Sequence, residues 1–140
     1  MRPKLYVGGT FDLLHGGHIL LLDLAAELGE VIVSLNTDEF TERYKGKPPV
    51  QPLAERLRIM RAIRYVSQVV VNVGDEDSKP AILASNATFI VHGTDWMGEA
   101  LYKQMGLTRE WLDDLGIEFI YFDKTAQSST ELKRRIREPS

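Results

Sequence analysis

Short apolar runs alternate with stretches of helical spacing along this chain. The five apolar runs occupy residues 4–7, 31–35, 66–73, 88–91 and 117–122. Helical spacing or helix-cap residues mark the stretches 17–28, 38–44, 53–63, 79 onward, 98–105, 108–115 and 128–137. Strands that alternate with helices form βαβ units with right-handed crossovers. We therefore predict a single α/β domain, residues 1–140, with a five-stranded parallel sheet and helices on both faces.

The composition narrows the class of protein. The 140 residues are 44% hydrophobic and 26% charged, which is typical of an ordinary soluble domain. The net charge of −3 argues against a nucleic-acid binder, because such proteins usually carry a basic excess. The chain has no cysteine, so disulfides and thiolate metal sites are excluded. No apolar run approaches the ~20 residues of a membrane span, and we expect a cytoplasmic protein that binds neither membrane nor nucleic acid.

The segment from Gly8 to His18 joins the first apolar run to the first helical stretch. Within it, His15 and His18 lie three residues apart where the helix should begin. A helix start presents unpaired N–H groups with a partial positive charge, and nearby glycines permit close approach of a ligand. The segment therefore favours a phosphate site, with a Gly-rich turn and a capping histidine as the alternative.

Two other polar segments also follow apolar runs, namely residues 36–38 and the loop that contains Asp95. In a parallel α/β sheet, ligands bind beyond the carboxyl ends of the strands. We expect these segments and the two histidines to meet at that edge.

The residues at 9–12 and 15–18, Gly-Thr-Phe-Asp and His-Gly-Gly-His, resemble the signature of the HxGH nucleotidyltransferase superfamily. Residues 36–40, 45–47, 56, 63–66 and 93–96 are similar in order and spacing to the glycerol-3-phosphate cytidylyltransferases. The resemblance implies a Rossmann-like domain, a homodimer, and transfer of CMP from CTP to glycerol-3-phosphate with release of pyrophosphate. Mg²⁺ would accompany the triphosphate, held mainly by phosphate oxygens and water, so we predict no protein metal site.

The resemblance and the spacing make His15 and His18 candidates for donors to neighbouring phosphate oxygens. Lys45 and Lys47 flank Gly46 on a loop, from which both ammonium groups would reach the triphosphate or the acceptor. A solvated surface pair is the alternative for the lysines.

Arg56 and Arg64 lie eight residues apart, and we predict them on one helix where both guanidinium groups would face phosphate from the same side. Surface ion pairs are the alternative, and the resemblance favours Arg64 as the catalytic residue. Asp12 and Asp38 are candidate substrate contacts, although Asp12 would equally brace its loop and Asp38 would equally cap a helix.

The remaining candidates are nucleotide-binding residues implied by the resemblance. They are Gly9, Thr10, Phe11, Gly17, Asp95, Trp96, Lys124, Ser129 and Thr130. Ordinary N-capping is the alternative for the last two, and a turn position is the alternative for Asp95.

One motif departs from the family pattern. The family's Arg-Thr-Glu-Gly-Ile-Ser-Thr is Lys-Thr-Ala-Gln-Ser-Ser-Thr here, at residues 124–130. A lysine cannot reproduce a bidentate guanidinium contact, so a catalytically silent nucleotide-binding module is one alternative function. Residues 44–53 also resemble the heptose-phosphate adenylyltransferases, which makes ATP-dependent transfer to a sugar phosphate the other.

Overall fold

Five parallel strands form the centre of the molecule. A computed structural model describes residues 2–93 and 98–122 of the chain. The strands are β1 (Lys4–Gly9), β2 (Glu30–Leu35), β3 (Gln68–Val71), β4 (Phe89–Gly93) and β5 (Glu118–Phe122), in the sheet order β3-β2-β1-β4-β5. The described helices are α1 (Gly16–Leu28), α2 (Asp38–Lys45), α3 (Leu53–Arg61), α4 (Lys79–Ser85), α5 (Glu99–Met105) and α6 (Arg109–Leu115). The predicted Rossmann-like α/β fold is therefore confirmed.

Helices cover both faces of the sheet because successive side chains of a strand point to opposite faces. Leu5 and Val7 of β1 pack in one core cluster with Leu22 of α1 and Met60 of α3. Tyr6, between them, packs in a second cluster with residues of α4, α5 and α6. All five side chains are buried, and burial of each contributes about 1.5–3 kcal/mol to folding.

Strands β1 and β4 separate towards their carboxyl ends. β1 pairs with β2 along its whole length, from Lys4 to Gly9. Its pairing with β4 covers only Leu5 and Tyr6, whereas β4 pairs with β5 as far as Gly93. The chain order reverses between β1 and β4, and such a reversal is where ligands bind in open α/β sheets.

Several element boundaries differ from the sequence prediction, and two of them affect candidate residues. The third strand ends at Val71, because the N–H of Val73 donates to the carbonyl of Val71 and the chain turns there. Helix α3 ends at Arg61, because Ala62 donates to the carbonyl of Ile59 and closes the last turn tightly. The prediction that Arg56 and Arg64 share one helix is therefore wrong.

The predicted final helix at residues 128–137 lies outside the described residues. Among the helices that the structure describes, none is long and apolar enough to cross a membrane.

Candidate active site

Two histidine side chains cap the start of helix α1. His15 is the N-cap residue, and its Nδ1 accepts a hydrogen bond from the N–H of Gly17 at 3.0 Å. The Nδ1 of His18 accepts from the N–H of His15 at 3.2 Å, which completes a reciprocal capping box. The two rings stack with their centroids 3.8 Å apart. Capping thus uses one nitrogen of each ring and leaves both Nε2 atoms for other partners.

The hydrogen bonds to Nδ1 also determine the tautomer. Since each Nδ1 accepts, the proton of a neutral ring lies on Nε2, which makes Nε2–H a donor. Burial lowers the pKa of His15. Burial, followed by the positive charges of His15 and Lys45, lowers the pKa of His18 to about 4. Both rings are therefore neutral donors at pH 7.

One of these donors has no partner within the described part of the chain. The Nε2 of His15 is buried and makes no hydrogen bond there. A buried donor left unpaired costs about 1–3 kcal/mol, a cost that a ligand acceptor such as a phosphate oxygen would remove.

The loop before His15 has an unusual backbone. Phe11 and Leu13 have φ angles of +53° and +52°, in the left-handed region. Between them, the carboxylate of Asp12 accepts from the N–H groups of Val50 and Gln51 at 2.8 and 2.9 Å, while the side chain of Gln51 accepts from the N–H of Leu13. Asp12 therefore braces this loop against the loop before α3, and its predicted contact with substrate stays a prediction.

Gly9 and Thr10 connect β1 to this loop. A Cβ on Gly9 would lie 3.0 Å from the ring of Phe11, so glycine permits the ring to approach β1 and contact His18 edge-on. The hydroxyl of Thr10 accepts from the side-chain amide of Asn36, which follows β2. The predicted meeting of segments from β1 and β2 at the carboxyl edge is thus observed.

Arg56 is buried beneath this edge and is 1% exposed. Its guanidinium donates to the carbonyls of Gln51, Thr10 and Asn36 at 2.9–3.0 Å and to the carboxylate of Asp38 at 2.6 Å. Asp38 also accepts from the N–H of Leu53, at the start of α3. Arg56 and Asp38 therefore hold the segments around the site in place. For Arg56 this is a different role from the predicted contact with substrate phosphate, whereas the predicted contact of Asp38 with the acceptor stays a prediction.

The paired lysines lie where α2 ends. Lys45 is its last residue, and Gly46 follows with φ of +82° as the C-cap. The positive charge of Lys45 lowers the pKa of His18, so the two side chains are electrostatically coupled. Lys47 is exposed on the loop beyond. The predicted contact of Lys45 and Lys47 with phosphate stays a prediction.

Arg64 lies elsewhere. It is exposed in the turn before β3, where its guanidinium donates to the hydroxyl of Tyr65 and lies 5.0 Å from the centre of that ring. The next residues lead to Ser67, whose N–H bonds to Val31 at the amino end of β2. Arg64 thus lies towards the amino ends of the strands, whereas His15 lies beyond the carboxyl end of β1, and no described contact links Arg64 to the histidines.

A cavity of about 90 Å³ opens where β1 and β4 separate. Its lining includes Gly8, Gly9, Asn72, Asp75 and Gln104. Sequence reasoning missed Asn72, which falls inside a predicted strand, and Gln104, which lies on a short helix far along the chain. The only sequence signal was a polar residue at the carboxyl end of the third apolar run.

Several predicted site residues lie outside the described residues, namely Asp95, Trp96, Lys124, Ser129 and Thr130. Gly17 is described, and its N–H donates to the ring of His15. Within residues 2–93 and 98–122, no group of three or more His, Asp or Glu side chains is arranged to hold a metal ion. The donors near the histidines are N–H groups and the ammonium group of Lys45, which suit phosphate rather than a bare cation.

Neutral imidazole donors lie at a helix start and at the switch point of the sheet, which is where an α/β nucleotide-binding domain is expected to bind phosphate. A family model described as cytidylyltransferase-like matches residues 6–135. The chain belongs to the cytidylyltransferase-like family, and it is a nucleotidyltransferase.

The relatives of this chain carry the names of different enzymes. The FAD synthase of Thermococcus kodakarensis is 44% identical over 138 residues, which cover 96% of this chain and 93% of that protein. The glycerol-3-phosphate cytidylyltransferase of Bacillus subtilis is 36% identical over 135 residues, which cover 95% and 96%. A lipopolysaccharide core biosynthesis protein from Thermoplasma volcanium shares the fold, with a TM-score of 0.71 at 24% identity over 91% of this chain and 100% of that one.

Proposed function

We propose that this protein transfers the nucleotidyl group of a nucleoside triphosphate, with CTP as the leading candidate, to a small alcohol phosphate such as glycerol-3-phosphate. The observation that carries the proposal is the pair of neutral Nε2–H donors on His15 and His18, one of them buried without a partner among residues 2–93 and 98–122. The cytidylyltransferase relative supports CTP and glycerol-3-phosphate.

In the proposed reaction, a phosphate oxygen of the acceptor forms a bond to the α-phosphorus of the triphosphate. The bond from that phosphorus to the α–β bridging oxygen breaks, and pyrophosphate leaves with the electron pair. The attacking oxygen is already anionic at neutral pH, so the protein has to align two anions and stabilise the charge on the α-phosphate. A well-placed donor contributes about 3 kcal/mol to such stabilisation.

His15 and His18 are the proposed donors, and the ammonium group of Lys45 would add positive charge nearby. Mg²⁺ bound with the triphosphate would neutralise part of its charge, as a component of the substrate. Asp12, Arg56 and Asp38 would act by holding the surrounding loops, because their described bonds are to the protein.

A second candidate is adenylyl transfer. It is favoured by the 44% identity to an FAD synthase, since FAD contains an adenylyl group joined to FMN. The likeness of residues 44–53 to heptose-phosphate adenylyltransferases favours ATP as well. The nucleotide and the acceptor are therefore tested together.

The test is a screen for pyrophosphate release. CTP, ATP, GTP and UTP with Mg²⁺ are combined with glycerol-3-phosphate, FMN, a heptose phosphate and ethanolamine phosphate. Turnover with CTP and glycerol-3-phosphate is the expected result. Nucleotide binding without pyrophosphate release from any combination would contradict the proposal and favour a silent binding module.

A matched pair of variants separates capping from chemistry. His18→Asn keeps an acceptor near the position of Nδ1 but removes the outer donor, whereas His18→Gln keeps a donor near the position of Nε2. We expect kcat to fall about 100-fold or more in His18→Asn, with an unchanged melting temperature, and to fall less in His18→Gln. A kcat for His18→Asn within threefold of the unsubstituted enzyme would refute the assigned donor.

A further inference from the structure

The carboxylate of Asp75, in the loop after β3, contacts both ends of helix α2. At the start of the helix, the hydroxyl of Thr37 accepts from the N–H of Phe40 as the N-cap and donates to Asp75 at 2.8 Å. In the last turn, the guanidinium of Arg43 lies 3.2 Å from the other carboxylate oxygen. The two contacts are about 9 Å apart along the helix, so together they fix both its position and its direction.

Asp75 is itself held firmly against the sheet. Its N–H donates to the carbonyl of Asn72 at 3.2 Å, and its carbonyl accepts from the side-chain amide of Asn72 at 2.9 Å. Asn72 is buried, and its own N–H donates at 2.9 Å to the carbonyl of Leu35, the last residue of β2. The carboxylate therefore contacts α2 from a fixed position.

The backbone of Asp75 does not require a side chain. Its φ angle of +52° lies in the left-handed region, which glycine adopts without steric cost. The neighbouring Glu76 also pairs with Arg43, at 2.6 Å, but its described side-chain bonds reach only that end of α2. The contact with both helix ends is thus a property of Asp75 and not of the acidic pair in general.

Helix α2 borders the candidate active site. The hydroxyl of Thr41, a buried residue of α2, lies 3.2 Å from the hydroxyl of Thr10. The residue after Thr10 is Phe11, whose ring contacts His18 edge-on. Lys45 is the last residue of α2, and its positive charge lowers the pKa of His18. A displacement of α2 would therefore move Lys45 relative to His18.

We propose that Asp75 is a positioning residue, whose carboxylate fixes α2 and thereby places the ammonium group of Lys45 relative to the histidine pair. The inference rests on the proposed function, in which Lys45 adds positive charge near the α-phosphate. Both carboxylate oxygens of Asp75 are already bonded within the chain, so the residue acts through α2 and not on the substrate. A misplacement of about 1 Å at a reacting group lowers a rate by up to about 100-fold, which makes such a support important.

The kinetic test uses two substitutions of Asp75 and one of its neighbour. Asp75→Gly removes the carboxylate and keeps the backbone conformation, whereas Asp75→Asn keeps an oxygen for Thr37 but cannot accept from Arg43 with its amide nitrogen. We expect kcat to fall about 10-fold in Asp75→Gly and less in Asp75→Asn. The melting temperature should fall by no more than about 5 °C, because partly exposed ion pairs contribute little to stability. Glu76→Gln is the matched control and should leave kcat within about twofold.

An NMR titration of His18 distinguishes positioning from a simple loss of charge. Removal of a carboxylate would by itself lower the pKa of a nearby histidine, because a negative charge favours the protonated ring. Displacement of Lys45 would raise that pKa, since the charge of Lys45 lowers it to about 4 together with burial and His15. We therefore expect the pKa of His18 to rise in Asp75→Gly. Addition of Asp75→Gly to Lys45→Gln should cause no further rise, because both changes act through the same group.

The outcomes separate this inference from the proposed function. A pKa of His18 that is unchanged or lower in Asp75→Gly would overturn the inference. A loss of kcat in Glu76→Gln equal to that in Asp75→Gly would also overturn it, as would a further loss when Asp75→Gly is added to Lys45→Gln. Pyrophosphate release from no combination of substrates would refute the proposed function, whereas the titration would still decide whether Asp75 positions Lys45.

Discussion

Replacement of Arg56 tests whether its guanidinium stabilises the protein or binds the substrate. The side chain is 1% exposed, and four hydrogen bonds hold it within the chain. Arg56→Met would leave three carbonyls and the carboxylate of Asp38 without their donor. Removal of one partner from a buried, hydrogen-bonded ion pair typically costs about 3–5 kcal/mol. The side chain of Asp38 is 36% exposed and can be rehydrated in part, which argues for the lower half of that range.

The assay is equilibrium unfolding in urea, followed by circular dichroism, together with the melting temperature. A loss of 3–4 kcal/mol corresponds to a decrease of about 10 °C for a chain of this length. Arg56→Lys retains the charge but cannot span four acceptors, so we expect about half of the loss. Arg58→Met, at an exposed position of the same helix, is the control and should change the free energy of unfolding by no more than about 0.5 kcal/mol.

The opposite result would support direct binding of phosphate. The free energy of unfolding of Arg56→Met could instead lie within about 1 kcal/mol of that of the unsubstituted protein. If the KM for nucleotide or acceptor then rises, the guanidinium acts on the ligand. The structural assignment would then be refuted.

Three further predictions concern the histidine pair and its supporting loop. An NMR titration of His18 should give a pKa of about 4 instead of the ordinary 6.5, and a midpoint near 6.5 would contradict the assigned environment. In the unfolded chain His18 takes up a proton near pH 6.5, whereas in the folded protein it does so only near pH 4. The free energy of unfolding should therefore decrease by up to about 3 kcal/mol as pH falls from 6.5 towards 4. Lys45→Gln should raise that pKa, since the positive charge of Lys45 contributes to lowering it, and an unchanged titration would show that the two groups are not coupled. Asp12→Asn should speed amide hydrogen exchange at Val50 or Gln51, because an amide side chain accepts from only one of the two N–H groups that the carboxylate now satisfies; unchanged protection of both amides would refute the bracing role.

The fold was accessible from the sequence because its signals are local. The run at residues 31–35 is continuously apolar, as a strand covered on both faces must be, and β2 occupies Glu30–Leu35. Glycine and histidine spacing likewise located the start of α1. These features depend on residues that are neighbours along the chain, so they can be predicted from a single sequence.

The role of Arg56 was not accessible in the same way. Helical spacing places an arginine on a helix, but it does not tell whether the guanidinium turns inwards to carbonyls or outwards to a ligand. The answer depends on Thr10 and Asn36, which follow other strands. The end of α3 before Arg64 was also not predicted, because a tight last turn leaves little trace in the pattern of apolar positions.

The cavity was the least predictable feature. Asn72 follows β3 and Gln104 lies in α5, and only the separation of β1 from β4 brings both to one cavity. The lining of this cavity therefore depends on contacts between segments distant in sequence, whereas the start of α1 depends on a short motif.

The histidine motif joins fold and chemistry because the two nitrogens of each ring have different tasks. Nδ1 of His15 and of His18 completes the start of α1, and this bond requires the proton to lie on Nε2. Burial then keeps both rings neutral, so that each presents one donor. A lysine at either position would supply a charge but could not accept the backbone N–H, and a serine could cap the helix but would not extend as far towards a phosphate. Histidine satisfies both requirements, since its ring separates an acceptor and a donor across a rigid plane.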